Sequence, residues 1–427
     1  MPDTDPPTII LYAMPGSLYS AKARAYLRKQ RLLVEERVPG DPRFEAVVQA
    51  VGRWIIPVAQ MPDGSLVQDS SAIIDAVEDA GLARLSAWPA DPVARVLALI
   101  FELFGGEGLV RPAMHYRWNF DADNLAFIGR DFVNGLRPGA GPEEAEAVFA
   151  ASSGRMRRAA EAFGVTPDTY AAVEASYLKF LGLLNAHLAT RPYLLGAAPT
   201  MADYGLIAPL HAHLSRDPHP AAIMKSRALH VWRWVERMTS PDMDAGEFCG
   251  RTDFGEPASD TLKALLAFVA EDYLPELAAM THWIDAWLET QDPAALTAQP
   301  IKRAIGRMTF AWRGHDIAVG VFPYRLHLLQ RVQDAADALS PAAHGQLSAL
   351  LTATGLHLWR GERHVLRDVG FALLIGGQGV AHLLNRLPAE LLVVGFLVQP
   401  FNLLAVARDD QQVLHKSRQG PFVEPLL

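Results

Sequence analysis

Cysteine is almost missing from this chain: Cys249 is the single thiol among 427 residues. One thiol forms no intrachain disulfide, no Cys-x-x-Cys redox pair and no cysteine-rich zinc site. An oxidised secretory scaffold and a dithiol oxidoreductase are therefore excluded. Surplus positive charge is missing too. With 39 Lys and Arg against 47 Asp and Glu, the formal net charge is −8, which argues against nucleic acid as a principal partner. The residues from Met1 to Thr8 carry no basic stretch followed by an apolar one, so no signal peptide is expected and the default is a cytoplasmic protein. Long apolar runs are scarce. The one candidate, Leu391 to Ala407, is at the short limit for a membrane span and contains Gln399, Pro400 and Asn402. It is expected to be buried core or an interface helix, and a membrane role is not expected. Half the residues are hydrophobic and a fifth are charged, so disorder is not expected for most of the chain, and the length suggests two or three domains.

The first 80 or so residues alternate between strand and helix patterns. Thr8 to Ala13 reads as a buried strand, Ser20 to Gln30 as a helix, Leu32 to Arg37 as a second strand and Phe44 to Ala50 as a short helix. Ile55 to Val58 is a strand broken by Pro57. The turn Pro62-Asp63-Gly64 leads to a short strand at Ser65 to Val67, and Asp69-Ser70-Ser71 offers N-cap residues for a helix over Ala72 to Val77. The order βαβα-ββα predicts an α/β thioredoxin-like domain over residues 1–82. Beyond a linker at Gly81 to Pro92, strand signals nearly vanish. Helices are expected at Arg95 to Trp118, from Pro142, from Thr166, from Thr200 and over Arg227 to Met238, predicting an all-α domain over 90–240. Thr200-Met201-Ala202-Asp203 reads as a capping box whose role is folding. A second linker, Thr239 to Asp260, precedes a helical extension over 255–427, with helices at Thr261 to Glu289 and Phe322 to Leu339.

Chemistry is expected where the first strand hands over to the first helix. Unpaired backbone N–H groups and the helix dipole stabilise an anion there. Redox proteins of this fold carry two cysteines at that place; this chain has Ser17-Leu18-Tyr19-Ser20, which cannot exchange disulfides but can hydrogen-bond a thiolate brought by a ligand. His211, His213 and His219 are not expected to hold a metal, because helix residues two apart point to different sides. Trp283 and Trp287 read as a core seam, Cys249 as a bystander, and Gly376 to Gly379 lacks the context of a phosphate loop.

Four segments, in order, resemble the glutathione S-transferase family: Leu11 to Leu27, Trp54 to Val58, Gln68 to Glu78 and Arg191 to Leu206. Phe322-Pro323-Tyr324-Arg325 through Gln330-Arg331 looks like part of an extension found in some long bacterial members. The resemblance implies glutathione as co-substrate, with no metal, and a serine-type site. Ser17 would donate its hydroxyl to the glutathione sulfur and favour the thiolate for attack on a small electrophile, although a plain cap of the first helix is the simpler reading of a serine there. Tyr19 and Ser20 are rivals for that role. Pro57 matches the family's cis-proline, which lets Ile56 present its backbone N–H and C=O to the cysteinyl part. Ser70 would hold the γ-glutamyl carboxylate, and Asp69, shorter than the Gln or Glu usual there, would face the ammonium. The electrophile pocket would lie between the domains, against Tyr19, His115, Tyr116, Arg117 and Trp118. Tyr116 and Trp118 would form an aromatic wall, and Arg117 or Arg111 would supply a cation. The resemblance further implies a cytoplasmic, detoxifying homodimer, with the extension leaving dimerisation open. The alternative is a binding or scaffold protein that keeps the fold without turnover.

Overall fold

The computed structural model describes residues 8–242, 246–251, 258–291 and 302–357. Leu391 to Ala407 and Gly376 to Gly379 lie outside the described residues. A four-stranded sheet opens the chain in the order β2-β1-β3-β4. β1 (Thr8–Tyr12) pairs parallel with β2 (Leu33–Arg37) and antiparallel with β3 (Val58–Gln60), which pairs antiparallel with β4 (Leu66–Gln68). Helix α1 (Leu18–Gln30) supplies the crossover between β1 and β2, α2 (Phe44–Val51) follows β2, and α3 (Ser70–Asp79) follows β4. Side chains on β1 alternate between the faces: Ile9 and Leu11 enter the main core with Tyr26, Ile73 and Ile74, whereas Tyr12 packs with Phe44 and Val58 under α2. The loop after β2 then reaches the helical half, where the Gly40 N–H bonds the Gly135 carbonyl at 2.9 Å.

The helical half follows. It comprises α4 (Pro92–Leu103), α5 (Val110–Trp118), α6 (Asp121–Leu136), α7 (Pro142–Glu161), α8 (Tyr170–Leu188), α9 (Met201–Ala212), α10 (Pro218–Arg227) and α11 (Leu229–Thr239). The single helix expected over Arg95 to Trp118 is broken by one π turn, Phe104–Gly108. A close crossing lies within it: a Cβ on Gly105 would lie 2.5 Å from the backbone carbon of Gly205 on α9, so only glycine fits. The wide turn swings Glu107 out of the helix line. The capping box at α9 is formed as the sequence suggested. Asp203 Oδ2 accepts from the Thr200 N–H at 2.9 Å, and Oδ1 accepts from the Leu194 N–H and from Trp234 Nε1. Helix α1 packs against α9, and the rings of Tyr26 and Tyr204 meet edge to face at 5.2 Å, so the sheet and the helical half share one core.

The C-terminal segment departs from the all-helical expectation. The single helix expected over Thr261 to Glu289 is two, α12 (Asp260–Asp272) and α13 (Leu274–Leu288), divided at Tyr273 with Pro275 in the new first turn. A hairpin follows, β5 (Gly306–Trp312) against β6 (His315–Val321). Met308, Phe310 and Trp312 face inward, as do Ile317, Val319 and Val321. Arg313 and Gly314, both at positive φ, make its two-residue turn. Trp283 stacks on Trp287 at 6.5 Å, and the backbone of Gly306 passes directly over the Trp283 ring. Helices α14 (Pro323–Asp337) and α15 (Pro341–Ala353) close the described chain, and α14 lies along α4. No helix among the described residues is long and apolar enough to cross a membrane.

Candidate functional site

A cavity of about 390 Å³ opens where the sheet, α5–α7 and the C-terminal segment meet. Its floor is the loop between β1 and α1, from Met14 through Gly16 to Tyr19, with Trp54 and Ile56 beside it. One face of α7 forms a wall: Val148, Ala151, Ser152, Arg155, Met156 and Ala159 recur at three- and four-residue spacing. Val110, Met114, Arg117 and Trp118 come from α5, and the C-terminal segment adds Arg303 and Phe322. The lining is mostly apolar, with a few convergent polar groups, as ligand sites are.

Ser17 is the N-cap of α1. Its extended backbone (φ −90°, ψ 128°) lets Oγ accept from the Ser20 N–H at 3.3 Å. Its own hydroxyl proton has no acceptor among the described residues. The rivals are committed elsewhere. Tyr19 donates to Glu107 Oε1 at 2.9 Å, and burial together with the Glu107 charge pushes its phenol well above the ordinary range. Ser20 is fully buried and its Oγ accepts from the Met14 N–H. Ser152, the remaining hydroxyl in the wall, donates to the Val148 carbonyl.

Two of the residues expected to meet the electrophile face elsewhere. His115 is buried and sits between Glu174 and Asn119, 2.9 and 2.8 Å away, and burial holds its imidazole below the usual range. Tyr116 stacks on Phe120 and packs on Tyr177. Neither lines the cavity: residues one and two steps from Met114 and Arg117 on a helix point to other sides. Trp118 and Arg117 do line it. Arg117 offers no spare charge, however. It is bidentate to Asp217 at 2.7 and 2.8 Å, and it donates to the carbonyls of Gly16 and Ala212. Its job is to hold the loop that carries Ser17. Gly16 sits so close that a Cβ would fall 2.9 Å from the Asp131 carboxylate. Arg111, the other cation considered, is equally occupied, by Glu276 and the Phe163 carbonyl.

The Ile56–Pro57 peptide bond is cis. Among the described residues, the backbone N–H and C=O of Ile56 have no partner, while the Pro57 carbonyl accepts from the Asp69 N–H at 3.3 Å and ties this loop to the start of α3. Asp69 caps α3 from a left-handed backbone (φ 79°), with Oδ1 accepting from the N–H groups of Ser71 and Ala72 at 2.8 and 3.1 Å. Ser70 is buried at the first turn of α3, and its hydroxyl has no partner among the described residues. Pro57, Asp69 and Ser70 lie beside the cavity and not in its lining. Behind them runs a buried polar chain: Lys22 donates to Ser71 and Glu102, at 2.7 and 2.5 Å, and Ser71 donates to Glu102 at 2.7 Å. Two positive ends of helices, α1 and α3, therefore converge on one region with a free hydroxyl at each.

Sequence reasoning missed Glu107, Tyr324 and Arg325. Arg325 is buried, bonds Glu107 at 3.1 Å and pairs with Glu276, which in turn takes Arg111 at 2.5 Å. Tyr324 Oη donates to Asp69 Oδ2 at 2.8 Å. No local pattern marks such pairs, which join residues 49 to 255 positions apart. His213 is buried in the helical core, His211 is half-buried and His219 stacks on Phe120. Among the described residues no His, Cys, Asp and Glu group has metal-binding geometry. Cys249 is exposed.

A glutathione S-transferase N-terminal domain model matches residues 11–81, and a glutathione S-transferase C-terminal domain model matches residues 167–237. No curated protein matches. Solved structures similar to the chain include the beta-etherase LigF from Sphingobium sp. strain SYK-6, with 20% identity over 54% of this chain and 94% of that one, at a TM-score of 0.39. Glutathione transferase GSTFuA3 from Phanerochaete chrysosporium has 19% identity over 56% of this chain and 98% of that one, at 0.40. Glutaredoxin 2 from Salmonella typhimurium, solved in complex with glutathione, has 17% identity over 57% and 96%, at 0.37. Both domain models fall on the chain in order, over the sheet and over α8 to α11, so the chain carries the N-terminal and C-terminal domains of the glutathione S-transferase family.

Proposed function

We propose that this chain is a glutathione-dependent transferase that binds the tripeptide across the starts of α1 and α3 and directs its thiolate at an electrophile in the adjoining cavity. Both matched domain models support the glutathione reading. The observation that carries the catalytic assignment is the fate of the hydroxyl protons. Of the cavity-lining hydroxyls Ser17, Tyr19 and Ser152, only Ser17 keeps a proton uncommitted among the described residues. Ser17 Oγ–H donates to the sulfur and the α1 N-terminus adds its partial positive charge, so the anion is favoured over the thiol. Ile56 pairs its free backbone groups with the cysteinyl residue, and Ser70, with the N–H groups at the start of α3, takes the γ-glutamyl carboxylate. Asp69 faces the ammonium. The sulfur then forms a bond to an electrophilic carbon and the leaving group departs with its electron pair. Holding the two reactants in contact supplies much of the rate. The apolar α7 wall suits a bulky, poorly soluble co-substrate.

The test is thiolate absorbance of bound glutathione as a function of pH. Wild type lowers the thiol pKa from about 8.5 by about one unit, and Ser17→Ala restores it. Conjugation to a model aryl halide falls roughly ten- to hundredfold in Ser17→Ala, the loss of one hydrogen bond to a charged group. An unshifted thiol in wild type would remove the catalytic assignment and leave the non-catalytic binding protein as the reading.

A further inference from the structure

The matched C-terminal domain ends at residue 237, yet the first turn of α14 reaches the proposed ligand site from two directions. Phe322, just ahead of the helix, lines the cavity. Arg325 holds Glu107, whose other oxygen takes the Tyr19 hydroxyl on the floor of the cavity. Tyr324, between them, donates to Asp69 Oδ2 at 2.8 Å, with Ser71 Oγ 3.4 Å away. The carboxylate of Asp69 is thereby fixed at both ends. Oδ1 serves the first N–H groups of α3, and the phenol sets the direction of Oδ2. Each carboxylate oxygen has two lone-pair sites, so the occupied Oδ2 still has one acceptor direction to offer a ligand. Around it stand Lys22, Asp75, Glu102 and Arg331, whose nearest partners are one another: Arg331 bonds Asp75 at 3.1 Å, and Lys22 bonds Glu102. Those four charges cancel within their pairs and Arg53 also feels the Asp69 charge, so what is offered to a cationic group is the open acceptor direction of Oδ2 itself.

We infer that Tyr324 is a positioning residue for recognition of a free α-amino group: it orients Asp69 Oδ2 toward the ammonium of the γ-glutamyl moiety, so that the C-terminal segment completes the binding site from within the same chain. The inference rests on the glutathione reading above. It goes beyond it in assigning amine selectivity to a residue outside both matched domains. Arg325, the next residue, is the anchor that keeps the helix start in register, since its guanidinium is buried between Glu107 and Glu276.

The experiment is calorimetric titration of the full chain with two ligands, glutathione and glutaryl-cysteinyl-glycine, which lacks only the amino group. Wild type binds glutathione more tightly than the des-amino analogue. Tyr324→Phe keeps the ring and loses the hydroxyl; it weakens glutathione roughly three- to tenfold, the worth of one hydrogen bond, and leaves the analogue unchanged. Asp69→Asn gives the same selective loss. The double variant Tyr324→Phe with Asp69→Asn is no worse than Asp69→Asn alone, because the tyrosine acts through the carboxylate. Equal weakening of both ligands by Tyr324→Phe means that the residue merely supports the fold, and overturns the inference. So does unchanged glutathione binding in Tyr324→Phe. Wild type that binds neither ligand overturns the glutathione reading itself, and the inference with it. Far-UV circular dichroism confirms that each variant is folded.

Discussion

Glu276 is the centre of a buried four-charge chain, and removing its charge gives the most direct check on how the C-terminal segment is attached. Its two oxygens serve Arg325 and Arg111, and Arg325 reaches on to Glu107. The four residues are each no more than 4% exposed. As drawn, two cations balance two anions. Glu276→Gln preserves the shape and leaves one positive charge in surplus, with Arg111 keeping only the Phe163 carbonyl as a polar partner. Breaking a buried pair from one side costs about 3–5 kcal/mol, because the remaining charge is neither hydrated nor compensated. An exposed pair makes the comparison: Lys263 with Asp260, whose carboxylate is 98% exposed. Asp260→Asn costs well under about 1 kcal/mol. Urea unfolding followed by tryptophan fluorescence reads both variants in parallel. A Glu276→Gln midpoint no lower than that of Asp260→Asn would refute the view that this chain of charges holds α13 and α14 to α5 and the π turn.

Two further outcomes concern the helical half. Burial depresses His187 to about 4 and His211 to about 3, and holds His213 well below its ordinary value, with nearby arginines adding to the effect. Each imidazole is neutral when folded and binds a proton near pH 6.5 when unfolded. Stability is therefore full above pH 6.5 and falls as the pH drops toward the folded values. His187 alone loses about 1.4 kcal/mol per pH unit, or about 2 kcal/mol by pH 5; unfolding midpoints that stay flat from pH 7 to 5 would contradict this. Asp203→Asn leaves a single acceptor oxygen for the N–H groups of Leu194, Thr200 and Trp234, at a cost of about 3 kcal/mol in thermal or urea unfolding. An unchanged midpoint would show that the capping box is not needed for folding.

The alternation at the start of the chain was legible because Thr8 to Ala13 is a short apolar run bounded by turn residues, and α1 and α3 begin at side-chain caps. Thr8 to Tyr12, Ser17 and Asp69 are where that logic placed them. Helices α6 and α10 were missed, as was the π turn, where Gly105 crosses Gly205 of α9 in a tertiary contact that no local pattern reveals. The hairpin could have been read. Met308, Phe310 and Trp312 alternate with exposed residues, and Arg313-Gly314 is a turn signal, but a run of helices on either side biased the reading toward helix. At the site, caps and the cis proline left traces in the sequence. The contacts on which the proposed function rests did not: that Tyr19 spends its proton on Glu107, that Arg117 is locked by Asp217, and that Tyr324 reaches Asp69 are facts of tertiary packing.

Ser70 offers the cleanest test of the central claim, because its buried hydroxyl at the start of α3 has no other work among the described residues. Glutathione should be titrated calorimetrically into the full chain and into Ser70→Ala. The account predicts millimolar or tighter binding to wild type, worth about 4 kcal/mol or more, and loss of that binding in Ser70→Ala while the unfolding temperature stays the same. Wild type that gives neither heat nor a thermal shift at about ten millimolar glutathione would contradict it.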